Sequence, residues 1–295
     1  MLLSEVLTDA VLRVLCCPFC REALKEKGDT LTCGGQPTHT FSMENGLLTF
    51  ADIDPGKYDK EYAGRYAALW AYGYATEAQR PLGEYLYRTV SSLVSESLAS
   101  RPADAGPPVI VDAGCGVGRI SGDCAALDPT ATVIGLDGSF AMLDFASRVV
   151  RGSSPILVDL ANLGFGHVEI QPRGLDHVFF ARANVERLPV AGGCADLALS
   201  INMVDRLPRG PEVGLKECHR ILRSGGWLIF TDPLNWQQAW LWAEYGTSEA
   251  IRELLETYGF EIKTWVDDLP YREIIDARGS FNEFKTLVVA AKKKE

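Results

Sequence analysis

From residue 109 onward, short apolar runs alternate with stretches of helical periodicity. Val109-Ile110-Val111 predicts a buried strand, followed by a glycine-rich turn and a helix through about Ala126. Ala131 to Leu136 predicts a second strand and Ser139 to Val150 a second helix; Phe179 to Ala181 belongs to a third strand, and Ala195 to Ile201 forms a fourth. A helix containing Val213 to Leu222 then leads through Gly225-Gly226 into a strand at Trp227 to Thr231. Near the end, Ile251, Leu254, Leu255 and Tyr258 define one helical face that Gly259 terminates, and Phe260 to Val266 and Lys285 to Ala290 read as closing strands. This grammar predicts an α/β fold: a mostly parallel sheet with helices on both faces.

The chain before residue 109 reads differently. Tyr58, Tyr62, Tyr66 and Trp70 recur near helical spacing, giving an aromatic helix face. Residues 84 to 98 read as another helix through Leu86, Val90, Leu93 and Val94, before Pro102 and Gly106-Pro107-Pro108 break the chain. Asp54-Pro55-Gly56 is a turn signal and a junction. The division is therefore a small Cys-rich domain over residues 1–54, a helical lead-in and substrate cap over 55–108, and the α/β domain over 109–295. Residues 151–175 fit no simple strand–helix unit. Ile156 to Leu160 and His167 to Ile170 suggest an extra hairpin, which could cover an active site or decorate the surface.

Composition narrows the functional classes. The 295 residues can bury a substantial core, and 47% hydrophobic with 23% charged residues argues against wholesale disorder. A formal charge of -10 disfavours binding to nucleic acid through a broad basic surface, though it leaves room for a local RNA site. Of eight cysteines, four crowd into residues 16–33 and four scatter through the α/β domain, which fits a reducing compartment better than a disulfide framework. The opening residues, with Glu5 and Asp9, do not read as a secretion signal, and no apolar run approaches a membrane span. A cytoplasmic protein without a membrane partner is the expectation; oligomeric state does not follow.

Cys17 and Cys20 are separated by two residues, Cys20 and Cys33 by twelve, and Cys33 and His39 by five. A turn can aim the first two thiolates at one ion while a small hairpin returns the second pair, giving a closed tetrahedral Cys3His zinc site in a zinc-ribbon-like unit. A segment of this size has little interior of its own, so metal ligation would supply folding free energy and the zinc would be structural. Buried free cysteines with an exposed His39 remain an alternative. So does a register in which Cys16 replaces Cys17, or in which His39 is a bystander.

Val111-Asp112-Ala113-Gly114-Cys115-Gly116-Val117-Gly118-Arg119 follows an apolar strand and precedes a helix, the context in which a glycine loop carries meaning. Gly114 and Gly116 permit a tight turn and a close ligand approach to the backbone, and Gly118 lets the helix sit near the sheet. Asp137 follows Gly118 by nineteen residues, at the end of the next strand, where a carboxylate can accept both ribose hydroxyls. On this ground alone a dinucleotide stays open.

These segments, with Gly135-Leu136-Asp137-Gly138-Ser139, Ala183-Asn184-Val185-Glu186-Arg187-Leu188-Pro189 and the run from Glu217 to Gly226, resemble class I S-adenosylmethionine-dependent methyltransferases over about residues 58–290. The resemblance implies a Rossmann-like sheet with S-adenosyl-L-methionine held by Asp112, Gly114, Cys115, Gly116 and Gly118. Asp137 would bind ribose, flanked by Gly138 and Ser139. Asn184 and Val185 would approach adenine, and Ser200 joins the same set. Asp is commoner where Asn184 stands, but an amide both donates and accepts. The head, through Cys17-Pro18-Phe19-Cys20, Cys33, His39 and Met43-Glu44-Asn45-Gly46-Leu47-Leu48, resembles the zinc-binding segment that precedes some bacterial ribosomal RNA guanine methyltransferases.

Ser200 to Pro208 follows the fourth strand and faces the expected carboxyl-end crevice. Asn202 could orient the acceptor or cofactor, Asp205 could accept a proton or bind a cation, and Arg206 could hold a carboxylate or simply pair with Asp205. Asn202 to Pro208, with Pro233 to Trp236, resembles the methyltransferase domain of enzymes that N-methylate mercaptohistidine in ovothiol synthesis, although Thr231-Asp232 departs from its serine-led pattern. That resemblance implies a small amino-acid or imidazole-like acceptor. Trp236, Trp240 and Trp242 could wall an aromatic pocket with Tyr62 or Tyr66, or pack in the core. The favoured reading is a zinc-containing methyltransferase acting at nitrogen on a small heteroaromatic or amino-acid-derived acceptor. The alternatives are guanine methylation in RNA, which four basic against six acidic residues over positions 1–50 support poorly, and a non-catalytic zinc-containing scaffold.

Overall fold

The computed structural model describes residues 3–50, 65–75, 80–102 and 104–295. The Asp54-Pro55-Gly56 junction, Tyr58 and Tyr62 lie outside the described residues, and so does the side chain of Tyr66.

After two short helices, Leu3–Val6 and Asp9–Val14, come four short strands: β1 (Leu24–Lys27), β2 (Thr30–Cys33), β3 (Thr40–Glu44) and β4 (Leu47–Thr49). The strands that follow are β5 (Val109–Ala113), β6 (Thr132–Asp137), β7 (Ile156–Leu160), β8 (Gly166–Ile170), β9 (Phe179–Arg182), β10 (Ala195–Ile201), β11 (Leu222–Asp232), β12 (Phe260–Ile274) and β13 (Phe281–Lys293). Eleven of them form one sheet in the order β1-β2-β3-β4-β9-β6-β5-β10-β11-β13-β12. The stretch β9-β6-β5-β10-β11 is parallel throughout, and β13 runs antiparallel to β11. Chain order reverses at β5, so ligand space opens beyond the carboxyl ends of β5 and β10, at the switch point of a doubly wound sheet. The interior strands read as continuous apolar runs because helices cover both faces. Ile110, Val111, Val133, Ile134, Leu197 and Leu199 are all fully buried.

The Cys-rich head continues this sheet. β4 pairs in parallel with β9, setting Leu48 against Ala181 and Thr49 against Arg182, and Leu31, Phe41 and Phe50 join the same apolar cluster as Val111 and Phe230. Leu15 bridges Val190, and the Cys16 N–H donates to the Pro189 carbonyl.

The expected hairpin over residues 151–175 is present as β7–β8, paired only with itself. Its inward residues Ile156, Val158, Leu160 and Ile170 pack with Ala67, Leu69 and Ala71 of the helix Arg65–Ala75. The closing strands run well past their predicted ends: β12 reaches Ile274 and β13 begins at Phe281. Register shifts near Ile262 and around Asp267-Asp268, where Asp268 has φ 57°, bend this ribbon over the carboxyl edge of the sheet. Its tip rests on the β7–β8 turn, the Ala277 N–H donating to the Leu163 carbonyl at 2.9 Å. No described helix is long and apolar enough to cross a membrane.

Candidate active site and metal centre

The Cys17–Cys20 turn and the β2–β3 connection bring Cys17, Cys20, Cys33 and His39 together, their ligand atoms all within 4.8 Å of one another. His39 Nδ1 stands 3.5 Å from the sulfurs of both Cys17 and Cys33. A tetrahedron with ordinary Zn–S and Zn–N bonds has an S···N edge of about 3.6 Å, so the spacing suits zinc and leaves no ligand position for a substrate. Two further observations fit the ion. A Cβ on Gly35 would meet Cys20 Sγ at 2.6 Å, so only glycine lets that hairpin close on the sulfur. Burial opposes ionisation of Cys33, yet the backbone N–H groups of His39 and Gly35 outweigh it and draw the thiol down to about 6, favouring the ligand form. Cys16 points away from the cluster, toward Arg220 and Arg21, which resolves the register in favour of Cys17.

Beyond the carboxyl ends of β5, β6, β9 and β10 lies one cavity of about 580 Å³. Asp112, Gly114, Cys115, Gly116, Asp137, Gly138, Ser139, Asn184 and Val185 all line it. Gly114 (φ 79°) and Gly116 (φ 53°) turn the loop through left-handed backbone, and a Cβ on Gly116 would meet nothing within 4 Å, so this backbone faces open ligand space. Asp137 accepts the Gly116 N–H at 2.9 Å through Oδ2 and the Ser139 N–H at 2.9 Å through Oδ1. The carboxylate so oriented lines the cavity. Asp112 is almost wholly buried and accepts the Ser121 hydroxyl at 2.6 Å; burial raises its carboxyl to about 6. Its part is to fix the loop onto the following helix. Asn184 accepts the Glu186 N–H, which sets the turn that carries Val185.

Three expected site residues lie elsewhere. Gly118 caps the helix Arg119–Leu127 and is off the cavity wall: its Cβ position is 2.9–3.0 Å from Phe180, Ala146 and Val150, so it allows helix to approach sheet. Ser200 is fully buried, its Oγ has no hydrogen-bond partner, and it faces away from the cavity because alternate strand residues point to opposite faces. Asp205 sits beneath the wall with no side-chain exposure; neither oxygen has a hydrogen-bond partner, and Arg206 Nε is 3.3 Å from Oδ1. Burial raises Asp205 to about 7 against the pull of Arg206, with Glu273 pushing the same way as burial. Its neighbour Asp232, also buried, accepts the Asp205 N–H at 3.1 Å and is raised well above its ordinary value by burial and by Asp205. Asn202 (φ 51°) and Arg206 do line the cavity, and the Asn202 amide oxygen accepts the Thr231 hydroxyl at 2.9 Å.

Of the two readings of the late tryptophans, core packing holds for Trp236. Trp236 is buried against Tyr245, its indole N–H donating to the Tyr245 carbonyl at 2.8 Å, whereas Trp240 and Trp242 are about half exposed; none of the three lines the cavity. The aromatic wall comes instead from Trp70, Tyr87, Tyr271 and Phe284. The Tyr87 and Tyr271 rings meet edge-to-face at 6.1 Å, and Tyr271 stacks on Phe284. The β12–β13 ribbon also supplies Glu273 and Asn282, which sequence reading missed because it ended the first strand at Val266. The available signal was the two-residue alternation through Tyr271 and Glu273, answered by Asn282 and Phe284.

Residues 111–230 match the family model of a methyltransferase domain. The chain is 26% identical over 147 residues to an uncharacterized 37.1 kDa protein in transposon TN4556 of Streptomyces fradiae, covering 50% of this chain and 35% of that one. It is 29% identical over 211 residues to a malonyl-[acyl-carrier protein] O-methyltransferase of Hahella chejuensis, covering 68% of this chain and 63% of that one. The chain thus spans less than two thirds of either relative. Among solved structures, magnesium protoporphyrin IX methyltransferase from Synechocystis PCC 6803 with bound SAM superimposes with a TM-score of 0.52 at 19% identity, covering 83% of this chain and 99% of that one. The fold is the Rossmann-like sheet of class I methyltransferases, residues 111–230 match a methyltransferase domain, and the Cys3His cluster of the amino-terminal segment is consistent with a structural zinc site.

Proposed function

We propose that the chain transfers the methyl group of S-adenosyl-L-methionine to a small heteroaromatic or amino-acid-derived acceptor, at nitrogen. The observation that carries this reading is the lining of the cavity itself. One side is the glycine loop with Asp137 and Asn184; the other is an aromatic wall interrupted by Asn202, Arg206, Asn235, Glu273 and Asn282. Its volume falls within the range of small-molecule sites.

Gly114, Cys115 and Gly116 would hold the methyl donor through the backbone, Asp137 through its ribose, and Asn184 and Val185 on the adenine side. The donor, when bound, supplies a methyl that is already electrophilic, so the protein's work is alignment and exclusion of water. Asn202, its amide oxygen engaged by Thr231, has its NH2 to orient an acceptor. The β12–β13 ribbon, anchored on the β7–β8 turn, screens the acceptor from solvent. Asp205 is too deep to touch an acceptor and acts by positioning Arg206. The zinc would hold the head closed and take no part in transfer, because its four ligands leave no open position.

A second reading, methylation of a carboxylate oxygen, is favoured by Arg206 on the wall and by the relative named as a malonyl-[acyl-carrier protein] O-methyltransferase. Titration of the zinc-loaded chain with S-adenosylhomocysteine in a calorimeter tests the shared premise, and the expected result is saturable one-to-one binding. Absence of binding overturns both readings and leaves the scaffold hypothesis.

A further inference from the structure

We infer that Glu273 is the acceptor-side proton acceptor and cation anchor of this site, and that the methyl acceptor is an amine entering as its ammonium form. The inference rests on the methyltransferase reading above. It narrows the acceptor and moves the chemistry from the β10 edge to the carboxyl-terminal ribbon.

Tyr271 and Glu273 are two residues apart on β12 and so share one face; their register partners on β13 are Phe284 and Asn282. All four line the cavity. On the opposite face Arg272 pairs with Glu283, so the ribbon separates a solvent-side ion pair from a cavity-side carboxylate. The Tyr271 hydroxyl donates to Glu273 Oε1 at 3.2 Å and lies 3.5 Å from the Tyr87 hydroxyl. The Tyr271 hydroxyl thereby fixes the carboxylate on the cavity wall, where it can meet an ammonium group.

Charge points the same way. Of the three acids near Arg206, burial raises Asp205 to about 7 and Asp232 well above its ordinary value, and Glu273 is the one whose carboxyl lines the cavity. Arg206 is already committed to Asp205 at 3.3 Å, and the Arg119 guanidinium lies over the Tyr87 ring and pairs with Asp123. An anionic acceptor would be repelled by the Glu273 carboxylate on the wall, whereas a cationic one pairs with it. Burial raises Glu273, opposed by the Tyr271 hydroxyl and Arg206, which brings a carboxylate closer to the range where it both takes and releases a proton near neutrality. In the reaction the ammonium gives a proton to Glu273. The nitrogen lone pair then forms the N–C bond as the sulfonium S–C bond breaks, with the electron pair leaving on sulfur and the proton later passing to solvent.

Three matched probes test this on the zinc-loaded full chain saturated with S-adenosylhomocysteine: 2-phenylethylamine, 2-phenylethanol and phenylacetate, titrated by calorimetry. The amine is expected to bind at least tenfold more tightly than the alcohol, and phenylacetate more weakly than both. Glu273→Gln should abolish that preference while S-adenosylhomocysteine affinity stays within threefold, which also shows that the variant is folded. With S-adenosylmethionine, mass spectrometry should show the N-methyl product, and kcat for Glu273→Gln should fall about 100-fold or more. The inference is overturned if the alcohol or phenylacetate binds as well as the amine, if no amine is methylated, or if the preference survives in Glu273→Gln. Failure to bind S-adenosylhomocysteine at all instead overturns the methyltransferase reading.

Discussion

Replacing Gly35 by alanine probes the metal centre by steric reach alone, without touching a ligand. The new Cβ would stand 2.6 Å from Cys20 Sγ and 3.0 Å from Cys20 Cβ, whereas ordinary contact begins near 3.4 Å. Cys20 or the hairpin must therefore give way by about 0.8 Å. Zinc–ligand bonds tolerate only about 0.2 Å, so the sulfur cannot absorb the shift and stay bound. Losing a mere hydrogen-bond partner of a ligand weakens zinc by 10–100-fold; displacing a ligand should reach at least about 100-fold, or about 2.8 kcal/mol. Gly34 supplies the control. A Cβ there meets nothing within 4 Å, and neither glycine has positive φ. Gly34→Ala should hold zinc as the parent does and be neutral or slightly stabilising through its unfolded state. Competition against a chromophoric chelator reads both affinities. If Gly35→Ala retains zinc within threefold of the parent, the assignment of Cys20 as a ligand is wrong.

Asp137→Ala removes the acceptor of two backbone N–H groups as well as the ribose contact, and should weaken S-adenosylhomocysteine binding by at least about tenfold in calorimetry. Asp205 is raised from its ordinary 3.8 to about 7, so the native chain keeps a proton that the unfolded chain loses in that interval, and stability falls as pH rises through it. Asp205→Asn removes this penalty: its Tm relative to the parent should be higher at pH 8 than at pH 4, and a pH-independent difference would refute the reasoning. Trp236→Ala should cost about 3–5 kcal/mol in chemical denaturation, whereas Trp240→Ala and Trp242→Ala, both exposed and off the cavity, should leave S-adenosylhomocysteine affinity unchanged.

Local pattern determined much of this protein. Apolar runs bounded by glycine and helical periodicity gave the strands from Val109 to Thr231 to within a few residues, except that β11 starts earlier, at Leu222. The Cys17-x-x-Cys20 spacing predicted the metal cluster, because a turn that short can aim two sulfurs at one point. The glycine loop was legible because backbone that must adopt positive φ leaves a residue-type signature. What the tertiary structure decided was which side chains meet from distant segments. Tyr87 and Tyr271 are 184 residues apart and become neighbours only because the β12–β13 ribbon bends at Asp268 and lands on the β7–β8 turn. The same holds for β4 on β9, which joins the head to the central sheet. Asp205 and Ser200 had the right chemistry at the right strand end, but burial depends on what packs above a residue and alternation on where a strand's pleat begins. Neither quantity is carried by the residues themselves.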